Sequence, residues 1–444
     1  MADARPNIIL ITLHDLGRQL RIYDADLPAN PNIERIAERG VVFRQHYATC
    51  PLCSPSRASI ITGRYPHSNG MNGLTHRGFA LNPDEKPLAE YFNEAGYHTA
   101  LYGFQHEAEP HEIARLRYTE VWQPEGKPWL AEVAPAVARF LQRRHDRPFM
   151  LAVGTAEVHR KFKQSFNVPV APDAVKVPPY LRDCPDVRED LADFYGLVQV
   201  ADRGVGIILD ALARCGLEEN TVLIFTTDHG FAFPRAKSTL YDAGIGVVFL
   251  LQWPARLRAG EVRSLTSHVD VLPTLLDIIG RSIEERIQGR SFLRLLEAGN
   301  SPAKAVDAWR AEIFAEKSWH GNEYDPMRCV RTARFKYIRN FKVGWLYQTP
   351  LDIKRSLSGK IMEQERRRPR PIIELYDLIN DPHEQHNLAG APQWADVERD
   401  LATRLERWMR ETGDPLPDRD IPWPAPGKEH YLNNMDCPMP DEIE

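Results

Sequence analysis

Reactive residue types are concentrated in one run of this chain, Cys53-Ser54-Pro55-Ser56-Arg57-Ala58-Ser59-Ile60-Ile61-Thr62-Gly63-Arg64. Ser54 is a good N-cap, Pro55 suits a first helical position, and the following residues continue a helix, so Cys53 is predicted at an exposed helix start. Unpaired N–H groups and the positive end of the helix dipole favour an anion there. Arg57, one turn in, is expected to point back toward Cys53 and to offer paired donors to an oxyanion. Cys50 and Cys53 are also spaced as Cys-x-x-Cys, the pattern of a redox pair or half a zinc site, and a buried inert thiol is the plainest alternative. No second cysteine pair accompanies them, and none of these alternatives accounts for Arg57 or for Thr62-Gly63-Arg64.

Other polar groups follow short apolar runs: His14-Asp15, Gln105-His106 and Asp228-His229 directly, and His159 after a short loop. The apolar runs at 8–13, 99–102, 149–153, 222–226 and 247–251 read as buried strands. Helix-period segments separate them at 32–39, 88–95, 132–142 and 191–215. This alternation predicts an α/β fold, a large mainly parallel sheet flanked by helices on both faces. Open sheets of this kind bind ligands at strand C-terminal ends, so the polar groups are expected to converge there.

Beyond about residue 302 the pattern changes to short β-like pieces at 312–315 and 335–338, a basic patch at 366–370, a turn-rich stretch at 380–382 and a helix at 394–410. The expected organisation is a catalytic α/β domain at 1–301, a smaller α+β C-terminal domain at 302–414 and an extended proline-rich tail at 415–444. The tail is expected to lie on the surface or on a neighbouring subunit, which would make a homo-oligomer.

Lys and Arg number 56 against 61 Asp and Glu in 444 residues, a formal net charge of -5, so neither a nucleic-acid nor a membrane partner is expected. The apolar run at 8–13 is too short for a signal peptide or a membrane span. Six cysteines are too sparse for a disulfide framework, and a cytoplasmic protein is the expectation.

Cys-x-Pro-Ser-Arg followed by Thr-Gly-Arg resembles the signature of type I sulfatases in the alkaline phosphatase superfamily. The run Tyr324-Asp325-Pro326-Met327-Arg328 looks most like the sulfamidase branch, which cleaves N-sulfate from glucosamine. The resemblance implies an alkaline phosphatase-like fold and conversion of Cys53 to formylglycine by a formylglycine-generating enzyme. It implies one divalent metal ion held by His14, Asp15, Asp228 and His229, with an oxygen on residue 53. Calcium is the usual ion of the family, whereas two imidazoles suit Mn2+ or Zn2+ better. Carried over position by position, Arg57 holds the nucleophile and His106 deprotonates its second hydroxyl. His159, aided by Lys237, protonates the departing oxygen or nitrogen. A lysine usual in the family is replaced by Phe104, and Arg160 is the expected substitute, with Arg235 and Lys237 also in sequence reach. His320 and Arg328 are candidates for the substrate pocket, with a structural role the stronger alternative.

The implied activity is hydrolysis of a small sulfated substrate, an aryl or sugar sulfate or a sulfamate. The nearest rival is a phosphonate monoester or phosphodiester hydrolase of the same superfamily, toward which Phe104 and the histidine-rich metal set lean. A non-catalytic anion-binding homologue is the rival from another class.

Overall fold

The computed structural model describes residues 5–124, 128–297 and 309–424. The first strand, β1 (Asn7–Leu13), is buried along its whole length, which is why it reads as a nearly continuous apolar run with only Asn7 and Thr12 polar. The others of the large sheet are β2 (Val41–Phe43), β4 (His98–Gly103), β5 (Glu120–Trp122), β6 (Phe149–Gly154), β7 (Thr221–Thr227), β8 (Phe249–Gln252) and β9 (Gly260–Val262), in the order β5-β4-β6-β1-β7-β8-β2-β9. A separate two-stranded pair is made by β3 (His46–Tyr47) and β10 (Thr266–Ser267). The run expected as a strand at 247–251 begins later and lies antiparallel to β7, unlike the parallel centre of the sheet.

Alternate residues of β1 feed two cores. Ile9, Ile11 and Leu13 pack under α1 (Pro31–Arg39), α5 (Leu130–Leu141) and α6 (Pro185–Arg214), while Ile8 and Leu10 pack under α2 (Cys53–Thr62), α4 (Leu88–Glu94) and the helix Val271–Ile278. A short helix, α3 (Pro66–Asn69), follows α2. α6 starts six residues earlier than its apolar period suggests, because Pro185 opens it as a first-turn proline.

The C-terminal part is a four-stranded antiparallel sheet of β11 (Glu312–His320), β12 (Glu323–Thr332), β13 (Phe335–Asn340) and β14 (Ile373–Asp377). The helix Ala395–Thr412 covers it with Leu401, Leu405, Trp408 and Met409. Between β13 and β14 the chain makes a long excursion holding the helices Leu351–Lys354, Leu357–Ile361 and Glu363–Arg366. Its neck is closed where Leu346 donates to the Arg368 carbonyl at 2.6 Å and Arg370 N–H to the Gly344 carbonyl at 3.0 Å. Its far end is tied to α6, whose Asp190 accepts the Ser358 N–H at 3.2 Å. The expected basic patch is split: Arg366 and Arg370 are buried, with Arg370 paired to Asp325 at 2.6 Å, while Arg367 and Arg368 are exposed.

The expected division at 301/302 lies outside the described residues, as does the tail from 425 on, including Cys437. The described start of the tail packs on its own chain: the Ile421 carbonyl accepts from the Trp319 indole at 2.9 Å, and Trp423 packs against Phe79 and Trp319. The other five cysteines are free thiols. Among the described residues no helix is long and apolar enough to cross a membrane.

Candidate active site

β4, β6, β1 and β7 are consecutive neighbours in the sheet, and all four run parallel, so the segments leaving their C-terminal ends stand side by side. Leu13 is level with Thr227, which brings His14-Asp15 beside Asp228-His229. Gly103 and Gly154 face each other at the ends of β4 and β6; a Cβ on Gly154 would stand 1.9 Å from the Phe104 carbonyl oxygen, so only glycine admits the turn toward His106. Asp15 takes a left-handed backbone (φ 54°), a conformation aspartate tolerates better than most residues.

Asp228 is held by three donors, the N–H of Asp15 at 3.0 Å, its own neighbour's N–H at His229 at 2.9 Å and Arg57 Nε at 3.0 Å. Asp15 Oδ2 accepts from Lys237 Nζ at 2.7 Å. Burial works to raise the Asp15 carboxyl, but the Lys237 ammonium and the surrounding imidazoles outweigh it and hold it well below the usual carboxylate range. Asp228 is likewise lowered, against its burial, by His14, His229 and Arg57. Both are ionised.

His229 donates from Nδ1 to the Gly230 carbonyl at 2.9 Å, leaving the lone pair of Nε2 facing Asp15 Oδ1 at 3.1 Å and Cys53 Sγ at 3.3 Å. Burial lowers this imidazole, which favours its neutral form. A neutral nitrogen lone pair 3.1 Å from a carboxylate oxygen is repulsive unless a cation stands between them. His14 Nδ1 lies 2.8 Å from Asp15 Oδ1 and 3.3 Å from Asp228 Oδ2. One ligand atom from each of His14, Asp15, Cys53, Asp228 and His229 falls within 4.8 Å of all the others, and all five residues are buried. Two carboxylates and two imidazoles so arranged suit a divalent ion.

Cys53 departs from its expected setting in two ways. α2 begins at Cys53 itself, with extended Leu52 before it and no side-chain cap; the Ser54 hydroxyl instead accepts the Thr75 N–H at 3.2 Å. The start of the helix is also not exposed, since all ten of its residues are buried and Cys53 is 3% accessible. Burial pushes its thiol well above the usual cysteine range, and a protonated sulfur is a poor nucleophile. Arg57 points into the protein: beyond Asp228 it donates to the Leu13 carbonyl at 3.0 Å, and its guanidinium lies 5.3 Å from the Phe104 ring centre. It thus braces a candidate metal-ligating carboxylate, where the sequence pattern suggested an oxyanion contact.

His106 and His159 reach the same place from β4 and β6. His106 Nε2 lies 3.1 Å from His76 Nδ1, and burial followed by His76 lowers its pKa well below the ordinary histidine value. The His159 ring is edge-on to His14 at 4.6 Å between centroids, its Nδ1 bonded to the Arg160 carbonyl and its Nε2 3.9 Å from Asp15 Oδ2. Lys237, Phe104 and His320 line, with His106 and His159, a cavity of about 350 Å³ above Cys53. The expectation that Arg160 substitutes for the missing lysine is overturned. Its guanidinium turns away and forms a two-pronged pair with Asp190, both contacts 2.7 Å, packed over Phe162 and Phe233. Arg235 is also elsewhere, donating to the Glu384 carbonyl over the Tyr241 ring. Arg328 is fully buried, bonded to Asp414 at 2.5 Å and to the Lys317 carbonyl at 2.9 Å, so its role is structural.

Residues that carried no sequence signal close the cavity: His76, Asn322, Thr349 and Asp352. His76 sits in a single 3-10 turn of helix (Thr75–Arg77), Asn322 in the turn between β11 and β12, and Thr349 and Asp352 in the excursion, without period or motif.

A family model described as Sulfatase matches residues 6–281, and one described as N-sulphoglucosamine sulphohydrolase, C-terminal, matches 228–353. The chain is 29% identical to the human (Homo sapiens) N-sulphoglucosamine sulphohydrolase over 94% of its own length and 92% of that protein. It is 29% identical to an ulvan-active sulfatase of Formosa agariphila over 94% of its length and 77% of that protein. Its fold matches a protein solved with its substrate D-glucosamine-2-N,6-O-disulfate (TM-score 0.74, 20% identity, 94% of this chain and 100% of that one). It matches the phosphonate monoester hydrolase of Agrobacterium radiobacter almost as well (TM-score 0.72, 20% identity, 92% and 96%), so fold alone does not separate the two chemistries. The Sulfatase model spans more than half of the chain and includes Cys53 and all four candidate metal ligands; this protein belongs to the sulfatase family, enzymes that hydrolyse sulfuric esters.

Proposed function

We propose that this enzyme cleaves small sulfate esters or sulfamates with a formylglycine made from Cys53 beside one divalent metal ion. The observation that carries the reading is the convergence of Cys53 with His14, Asp15, Asp228 and His229 within 4.8 Å. His14, Asp15, Asp228 and His229 would hold the ion, which when bound would supply Lewis-acid polarisation and charge neutralisation at the sulfuryl group. Formylglycine supplies, as its hydrate, a nucleophilic oxygen and a second hydroxyl whose ionisation expels sulfate, which serine lacks.

The chain's own residues do the rest. Arg57 fixes Asp228, and Lys237 fixes Asp15 while turning its remaining N–H groups to a sulfuryl oxygen. His159, its Nδ1–H held by the Arg160 carbonyl, delivers a proton from Nε2 to the departing oxygen or nitrogen. His106, whose Nδ1 is buried without a hydrogen-bond partner among the described residues, takes up a proton there in the second half of the reaction.

The phosphonate reading keeps one specific support, the apolar Phe104 ring over Arg57 where the family pattern has a second cation. The test uses protein matured by a formylglycine-generating enzyme. Conversion lowers the intact mass by about 18 Da, and turnover is compared on an aryl sulfate, a sulfamate and a phosphonate monoester. Faster turnover of the phosphonate would replace the proposal by its rival. An unconverted Cys53 in the native host, with no turnover, would make the protein a binding module.

A further inference from the structure

The cavity above Cys53 has an outer wall from two segments that take no part in the proposed chemistry: the turn between β11 and β12, and the excursion between β13 and β14. On this wall three side-chain oxygens, Asn322 Oδ1, Thr349 Oγ1 and Asp352 Oδ2, are shielded from solvent and have no hydrogen-bond partner among the described residues. The direction of the Asp352 carboxylate is set by its other oxygen, which accepts the Ile353 N–H at 2.9 Å. An oxygen of Asp352 also falls within 4.8 Å of ligand atoms of both His159 and Asp15, next to where a leaving group must depart.

Buried polar atoms are almost always paired, and three unpaired ones on one pocket wall need a partner from outside the chain. Water can serve in the free enzyme, but a ligand that displaces it must bring hydrogen-bond donors of its own. An ionised carboxylate only accepts, and amide and hydroxyl oxygens accept as well, so the complementary group carries several O–H or N–H donors. A second anion beside Asp352 would be repelled, and a bare aromatic ring would leave all three oxygens unpaired. Of the nearby ammonium groups, Lys354 lies 3.7 Å from Glu323 and Lys237 is bonded to Asp15 at 2.7 Å; the Lys237 charge acts on Asp352 through space, but neither group gives any of the three oxygens a hydrogen bond.

We propose that Asn322, Thr349 and Asp352 form a leaving-group subsite that selects a polyhydroxylated ring, a sugar, by accepting its hydroxyl or amino donors. The proposal rests on the sulfatase reading and sharpens it, because sugar and aryl substrates are told apart by residues outside the reacting centre.

The experiment uses full-length enzyme with formylglycine verified by mass and four probes in two ring-matched pairs. These are N-sulfoglucosamine with cyclohexyl sulfamate, and glucose 6-sulfate with cyclohexylmethyl sulfate. In a pair that is cleaved, the wild type is expected to prefer the sugar by at least about 100-fold in kcat/KM. Asp352→Asn, which keeps the shape, should shrink that preference by about 10–100-fold, and Thr349→Val and Asn322→Ala by about tenfold or less each. Thermal unfolding of each variant reports whether it folds. An unchanged preference in all three variants overturns the subsite, as does an equal loss on both members of a pair, or a wild type that cleaves the hydroxyl-free ring as well as the sugar. Each of those outcomes leaves the sulfatase reading standing. No turnover of any probe or of an aryl sulfate by verified enzyme overturns that reading, and the subsite falls with it.

Discussion

On the floor of the cavity the charged groups hold one another: Asp228 has three donors, Lys237 is bound to Asp15, and the Nδ1 of His229 is fixed by the Gly230 carbonyl. On the facing wall, Asn322, Thr349 and Asp352 each keep an oxygen with no partner among the described residues. The floor comes from strand ends of the large sheet and from α2, the wall from a turn and an excursion of the smaller one. A network braced by its own side chains, and needing from outside little beyond the ion that separates Asp15 from His229, is already arranged for the transition state and need not reorganise. A surface satisfied only from without discriminates among ligands, and damage to it should alter selectivity before it alters chemistry.

The largest expected effect lies on the floor. Cys53→Ala should lower turnover by more than about 10⁴-fold with little change in thermal midpoint, because one buried sulfur is lost and the nucleophile with it. Cys50→Ala should be far milder. Retention of a tenth of the activity by Cys53→Ala would place the nucleophile elsewhere and erase the contrast between floor and wall.

Chelation should abolish turnover and also lower the thermal midpoint, since Asp15 and the lone pair of His229 Nε2 then face each other at 3.1 Å. Readdition of Mn2+ or Zn2+ is expected to restore activity better than Ca2+. Stoichiometric calcium, found by elemental analysis in protein never given it, would refute that order.

Arg160→Ala tests what joins the two sides, because Asp190 binds both Arg160 and the excursion at Ser358. Breaking this buried pair should cost about 3–5 kcal/mol of stability, read by denaturant unfolding. KM should change by less than about threefold. A large rise in KM with unaltered stability would put Arg160 back at the sulfate.

The smallest effect concerns the support beneath the floor. The Glu157 side-chain carboxyl accepts the Leu130 N–H at the start of α5, its two oxygens at 2.8 and 2.9 Å, and its backbone carbonyl accepts the His14 N–H at 2.6 Å. Burial pushes its pKa from the ordinary 4.5 up to about 7. The folded state therefore keeps a proton that the unfolded chain has already released. The associated stability is complete below pH 4.5 and is lost as the pH rises to about 7. Glu157→Gln should remove about 1–3 kcal/mol of that decline between pH 5 and 8, measured by unfolding at each pH. Parallel wild-type and variant curves would show that Glu157 does not titrate in this range.

Much of the floor was legible in the sequence because β-strands advertise themselves by apolar runs, and a polar pair just after such a run has one place to go. His14-Asp15, Asp228-His229, His106 and His159 were found in this way, and Cys53 by its signature. Side-chain direction was not legible: Arg57 and Arg160 each had an acidic partner distant in sequence, Asp228 and Asp190, and turned to it. Ser54 failed as a cap for a related reason, its hydroxyl being taken by Thr75. The reversal of β8 was hidden because a strand buried on both faces looks the same in either direction. The wall left no trace, since single acceptors in a turn, a loop and a helix of only four residues become a set only when the excursion folds back over the cavity.

The closed neck of that excursion bears on how new specificities arise. Gly344, Leu346, Arg368 and Arg370 already hold its two ends together, so residues beyond the neck can be replaced or added without disturbing the pairing of β13 with β14. Doubling the length of a loop whose ends are fixed costs only about 0.6 kcal/mol of chain entropy. Drift and recombination can therefore try many versions of the cavity-facing part of this segment above a chemically unchanged floor, and a library restricted to residues 348–352, which leaves the buried Ile353, Ser358, Gly359 and Met362 in place, is the natural place to begin directed evolution of this enzyme.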